Sequence, residues 1–131
     1  MHWSFSPDVP IYLQIMEQLE QMIVSGVLSP GDRLMSVREF AADANVNPNT
    51  MQKALTELEK RGIVYSQRTS GRFITDNPER LRELREELAH KEIAGFLEGM
   101  KRLGYTDEEV LSLLSRQIRT YVQVTKESIY E

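Results

Sequence analysis

Residues 45–55 read Asn-Val-Asn-Pro-Asn-Thr-Met-Gln-Lys-Ala-Leu. Turn-forming residues crowd directly before a regular amphipathic helix, and this juxtaposition fixes where the chain bends. Proline at the first helical position forfeits no hydrogen bond, because that amide has no intrahelical acceptor. The residue before a proline avoids helical geometry, so Asn47 is expected in the extended form of an N-cap. Asn45 suits the left-handed conformation of a sharp turn, and Val46 is expected to tuck into the core. The helix that follows runs from about Pro48 to Arg61. Met51, Ala54, Leu55 and Leu58 form its buried stripe, and Gly62 suits its left-handed end.

The flanking segments decide what this bend joins. Ser36 is placed to cap a short helix, Val37 to Ala44, with Glu39 at capping-box spacing and Phe40, Ala41 and Ala44 on its apolar side. Upstream, Pro10 to Ser25 carries Ile11, Ile15, Leu19, Met22 and Ile23 at helical spacing, with Gln14, Glu17, Gln18 and Gln21 on the other face. Pro10 is expected at its first helical position and Gly26 just past its end. A Pro30-Gly31 turn follows. Downstream, Ile63–Ser66 and Arg72–Thr75 are β-rich and flank the polar loop Gln67–Gly71, which reads as a hairpin. Asp76-Asn77-Pro78 marks a boundary, and beyond it two helices are expected, about Glu79–Leu103 and Asp107–Ser128. Gly104 breaks them, and Thr106 with Glu109 forms a second capping box.

The order helix, turn, short helix, tight turn, helix, β-hairpin is that of a winged helix-turn-helix. The expected fold is mainly α with a small β-hairpin: a winged helix-turn-helix head, residues 1–77, and a C-terminal two-helix dimerisation hairpin, residues 78–131. Such a motif places its second helix, here the third of the chain, in the DNA major groove. Asn47, Asn49, Thr50, Gln52 and Lys53 then point outward near its N-terminal end. Asparagine and glutamine bond adenine bidentately, threonine touches a thymine methyl, and lysine reaches phosphate or guanine. Arg68, Thr69 and Ser70 at the hairpin tip suit phosphate or minor-groove contacts, and Ser36 and Arg38 lie where the short helix meets the backbone.

Charge is consistent with a focused contact surface. The chain carries −4 overall, so it is no general polycation. Residues 46–74 are nevertheless net basic, with Lys53, Lys60, Arg61, Arg68 and Arg72 against Glu57 and Glu59. Cysteine is absent, and His2 and His90 are the only histidines, which leaves no disulfide and no histidine-rich metal site. No nucleophile–base pair, metal cluster or phosphate loop is evident, so neither enzymatic activity nor a cofactor is expected. No apolar run is long enough to span a membrane, and Met1–Pro7 lacks the regions of a signal peptide; a cytoplasmic protein is the expectation. A winged-helix protein–protein module without DNA binding is the alternative, disfavoured because such modules present an apolar patch where this chain is polar.

The stretches Pro10–Ile15, Gly26–Leu34, Ser36–Ala41, Val46–Glu59 and Arg61-Gly62 together resemble the GntR family of bacterial transcription regulators. The resemblance spans most of residues 9–75 and implies that Arg38, the start of the third helix and the wing tip carry the DNA contacts. Departures are Met35, where the family often has proline, and Thr69-Ser70-Gly71-Arg72 in the wing, where Gly-X-Gly-Thr is common. Pro48 and Asn49 stand where many members carry arginine, a form typical of the YtrA-like branch. That branch implies a repressor of a transporter operon.

The remaining residues are too few to enclose a metabolite, and the sequence does not say whether a small-molecule effector exists. They do carry apolar stripes: Leu81, Leu84, Leu88, Ile93, Phe96, Leu97, Met100 and Leu103, then Val110, Leu111, Leu114, Ile118, Tyr121, Val122 and Ile129. A second copy would bury this surface in a four-helix arrangement across a two-fold axis, so a homodimer on an inverted-repeat operator in double-stranded DNA is expected.

Overall fold

The computed structural model describes residues 1–130, and side chains as far as Lys126 and Glu127. The elements are α1 (Ile11–Val24), α2 (Val37–Ala44), α3 (Pro48–Lys60), β1 (Val64–Gln67), β2 (Gly71–Ile74), α4 (Pro78–Arg102) and α5 (Asp107–Tyr130). Two compact units result, Met1–Leu88 and Ala89–Glu131.

In the first unit the amphipathic stripes of α1, α2 and α3 close on one core. Phe40, Ile15, Leu19, Met51, Leu55 and Leu58 are fully buried there, joined by Ile63, Val64 and Ile74 from the hairpin. The two strands pair antiparallel with Val64 opposite Ile74 and Gln67 opposite Gly71. A short segment before α2 adds itself to this pair. Leu34 donates its N–H to the Arg72 carbonyl, and Ile74 donates to the Asp32 carbonyl, both at 2.9 Å. The sequence shows this segment only as a turn, because a bridge of a few residues leaves no periodicity to read.

The compact unit continues past Asn77, where the sequence divides. Leu84 is 0% exposed, and Leu81 and Leu88 pack half-buried on the same core. The first turns of α4 therefore belong physically to the winged-helix unit. An ion-pair chain reinforces them. Arg61, at the end of α3, pairs with buried Glu20 of α1 and, at 2.7 Å, with Glu87 of α4. Arg80 of α4 donates to the Arg61 carbonyl at 2.8 Å and pairs with Glu87 at 3.2 Å.

Two local details differ from expectation. Pro10 is the N-cap of α1, not its first helical residue, with φ −51° and ψ 134°. Gln14 and Gln18 do not simply face water. The Gln14 amide bonds Ser6 through both its N–H and its carbonyl at 2.8 Å, and Gln18 does the same for Ser4 at 2.7 and 3.1 Å. These glutamines thus hold the N-terminal segment along α1 as a neighbouring strand would. Trp3 then reaches α2, donating from Nε1 to Asp43 at 2.8 Å and meeting Phe40 edge-on.

In the second unit, Gly104 at φ +89° ends α4, and a reciprocal capping box opens α5. Thr106 donates its N–H to the Glu109 carboxylate at 3.1 Å, and Glu109 donates its N–H to the Thr106 hydroxyl at 3.2 Å. Among the described side chains of this unit, only Val110 is buried. No helix is long and apolar enough to cross a membrane among the described residues.

Candidate nucleic-acid interface

The turn into α3 is built as its sequence dictates. Asn45 is left-handed at φ 55° and ψ 50° and ends α2. Asn47 is extended and accepts the Asn49 N–H on its side-chain oxygen at 2.8 Å. That bond uses one of the two acceptor sites on the Asn47 amide oxygen, and the residue is otherwise exposed, with no hydrogen-bond acceptor for its amide N–H groups among the described residues. Asn49, Gln52 and Lys53 are exposed and Thr50 is half-buried. Gln52 lies along the helix and donates to Thr56 Oγ1 at 3.2 Å. Lys53 does not extend freely into water; its ammonium lies 4.0 Å from the centre of the Tyr12 ring.

At the start of α2, Ser36 caps the helix. Its hydroxyl accepts the Glu39 N–H at 3.2 Å and donates to the Glu39 carboxylate at 3.0 Å. In the expected capping box the Glu39 carboxylate would instead reach the Ser36 backbone amide. Here it takes the hydroxyl proton, so the Ser36 side chain is already engaged. Arg38, two residues on, is exposed.

The hairpin stands beside α2. Arg68 and Thr69 are exposed at its tip, and Ser70 is half-buried where its N–H closes the turn on Gln67 at 3.1 Å. Gly71 has φ +107°, and a β-carbon there would come 3.3 Å from Arg33 Nε. The glycine therefore permits both the turn and the close approach of the Arg33 guanidinium. A groove of about 550 Å³ runs from the wing root to α2, lined among others by Arg33, Ser36, Val37 and Arg72. Tyr65 and Phe73 stack on each other across the strands at 5.6 Å. Their half-buried rings brace the hairpin.

Ion pairing sorts the cations of this unit. Lys60 pairs with Glu57, Arg61 with Glu20 and Glu87, and Arg72 with Glu59, which also takes the Ser66 hydroxyl. Among the described residues of this unit, Arg33, Arg38, Lys53, Arg68 and, on α4, Arg85 have no carboxylate partner. Three of the five cations that make residues 46–74 basic are thus ion-paired, Lys60 in an exposed pair within α3, while the other two, Lys53 and Arg68, lie on α3 and at the wing tip. Arg33 and Tyr12 escaped the sequence reading. The signal for Arg33 was the glycine at position 71, which has meaning only once the 31–34 segment pairs with β2.

The candidate dimerisation residues separate into two groups. Leu81, Leu84 and Leu88 are engaged in the first unit's core, and Leu84 is entirely inaccessible. Ile93, Phe96, Leu97, Leu111, Leu114, Ile118, Tyr121 and Val122 are exposed. Of the other stripe residues, Leu103 is exposed and Met100 half-buried, Val110 is buried, and Ile129 lies outside the described side chains.

Comparison with known proteins agrees with the winged-helix fold. The family model for bacterial regulatory proteins of the gntR family matches residues 11–74. The chain is 45% identical over 108 residues to the uncharacterized HTH-type transcriptional regulator YhcF of Bacillus subtilis, covering 82% of this chain and 89% of that one. It is 46% identical over 70 residues to the HTH-type transcriptional repressor YtrA of the same organism, covering 53% and 54%. Among solved structures, a GntR family transcriptional regulator from Listeria monocytogenes superposes with TM-score 0.77 at 35% identity, over 86% of this chain and 98% of that one. The DNA-binding domain of AraR, crystallised with operator ORX1, matches 57% of this chain and 92% of its own at 25% identity and TM-score 0.50. With its helix-turn-helix and wing in place and its relatives regulators of transcription, the chain belongs to the GntR family and is a DNA-binding transcription regulator.

Proposed function

We propose that the protein is a homodimeric repressor of the YtrA-like branch, acting on an inverted-repeat operator upstream of a transporter operon. The observation that carries the DNA surface is the sorting of cations: struts are ion-paired, and of the unpaired cations Arg33, Arg38, Lys53 and Arg68 stand on the helix-turn-helix and wing, where they are left for phosphate. Asn49 and Thr50, with the free amide N–H groups of Asn47, lie at the tip that enters the major groove and read base edges there. Arg68, Thr69 and Ser70 follow the adjoining backbone or minor groove. The dimer reading is supported by the exposed apolar residues of α4 and α5 and by the rarity of such a surface on a lone soluble unit. Two-fold pairing matches an inverted repeat, with one α3 in each of two successive major grooves. Repression is supported by the name of the similar YtrA, and the transporter target by resemblance to that branch.

The test is fluorescence anisotropy with duplex DNA from upstream of the protein's own operon. Specific binding is expected to weaken steeply with salt, and Arg38→Ala with Lys53→Ala is expected to weaken it at every salt concentration. Binding that ignores both salt and these substitutions would refute the assignment.

A further inference from the structure

Lys53 is the one cation of α3 held by something other than a carboxylate: its ammonium lies 4.0 Å from the Tyr12 ring centre. Tyr12 sits in the first turn of α1, half-buried and packed on the head core. Its ring is therefore anchored, whereas a lysine stem alone is among the most mobile of side chains. The two ways of holding a cation in this unit differ in consequence. A carboxylate, such as Glu59 on Arg72, cancels the charge it positions. An aromatic face attracts the ammonium through its quadrupole and carries no net charge. The ammonium keeps its full charge, and N–H donors turned away from the ring remain available to an outside acceptor.

We propose that Tyr12 is a positioning residue for DNA binding: its ring pre-orients the Lys53 ammonium toward an operator phosphate and so brings α1 into recognition. The proposal rests on the reading of α3 as the DNA-facing helix. Pre-orientation lowers the entropy lost when Lys53 docks, and the ring works without touching DNA.

The experiment measures the operator dissociation constant of the full chain by anisotropy for Lys53→Ala, Tyr12→Leu, Tyr12→Phe and the double variant Tyr12→Leu/Lys53→Ala. Tyr12→Leu is expected to weaken binding about two- to five-fold, the scale of one exposed cation–π contact. Tyr12→Phe, which keeps the ring, recovers most of that loss. The double variant binds no more weakly than Lys53→Ala alone. A second readout needs no DNA: the Lys53 ε-methylene protons are shifted upfield by the ring in solution NMR, and Tyr12→Leu removes the shift while Tyr12→Phe keeps it. Several outcomes overturn the proposal. One is an unaltered dissociation constant in Tyr12→Leu. Another is a Tyr12→Phe loss equal to that of Tyr12→Leu, which would assign the role to the hydroxyl. A third is losses that multiply in the double variant. An upfield shift present while Lys53→Ala binds DNA normally would instead refute the DNA-facing assignment of Lys53, and the proposal with it.

Discussion

Residues 1–88 and residues 89–127 treat apolar side chains in opposite ways. In the first unit the stripes of α1, α2, α3 and the start of α4 converge, and Ile15, Phe40, Met51, Leu58 and Leu84 lose all contact with water. In the second, Leu111 is 69% exposed and Tyr121 74%, and burial is confined to the neighbourhood of the α4–α5 turn around Val110. The two stretches are similar as sequence: both are amphipathic helices with leucine and isoleucine at three- and four-residue spacing. What differs is the number of directions from which apolar surface arrives. Three helices and a hairpin surround a point; two helices do not. A single chain thus completes the first core and leaves the second to be completed by another copy, in the reading proposed above.

That contrast is open to attack by substitution. The largest effect is expected in the tail. Phe96→Glu with Ile118→Glu places charge on the exposed face, and light scattering should change from dimer to monomer. Operator affinity should then fall by about 10²-fold or more, because the second head loses its tether. A dimer that survives both charges would remove the tail from the interface. In the head, Leu84→Ala should lower unfolding free energy by ~2–5 kcal/mol, as for a buried leucine. Leu111→Ala, measured by chemical denaturation at concentrations where the protein is monomeric, should cost well under that. Equal costs would mean that the two units are not different in kind.

Smaller effects probe the cations within the head. Arg38→Ala and Arg68→Ala should each reduce the slope of log affinity against log salt by about 1, the signature of one lost phosphate contact. Arg72→Gln should change that slope less, since Glu59 already neutralises Arg72. A full unit lost at Arg72 would break the distinction between struts and contacts.

The smallest effect lies in the N-terminal segment. The Trp3 hydrogen bond, with a further contribution from the terminal amine, holds the Asp43 carboxyl below its ordinary value of 3.8. A carboxyl with a depressed folded value stabilises the fold above its unfolded pKa, and this contribution fades as pH falls through the folded one. The fluorescence of Trp3, the chain's only tryptophan, should therefore be constant at neutral pH and change only below about pH 3.8, the unperturbed value. A transition near pH 6 would exclude Asp43 as its cause.

Much of this molecule was legible in its residues. The Asn45–Pro48 turn, the Ser36 cap and the Thr106 capping box are local, and local chemistry is written in adjacent letters. What escaped were contacts between distant segments. Glu20 falls among the buried positions of α1, yet its partner Arg61 is 41 residues away. Arg33 gained meaning only through Gly71, and Tyr12 only through Lys53. Leu84 continues the same periodicity as Ile93 and Phe96, so spacing alone could not divide α4 between a completed core and an open face. Net charge marks residues 46–74 as basic but does not separate struts from unpaired cations, because pairing depends on the fold.

The most direct test of the account is selection of bound sites from random duplex DNA by the intact protein. Two heads carried on one tail interface predict an enriched sequence with two-fold symmetry and half-sites about one helical turn apart. Enrichment of a single asymmetric half-site would contradict the dimer, and no enrichment above the starting pool would contradict sequence recognition by α3 and the wing.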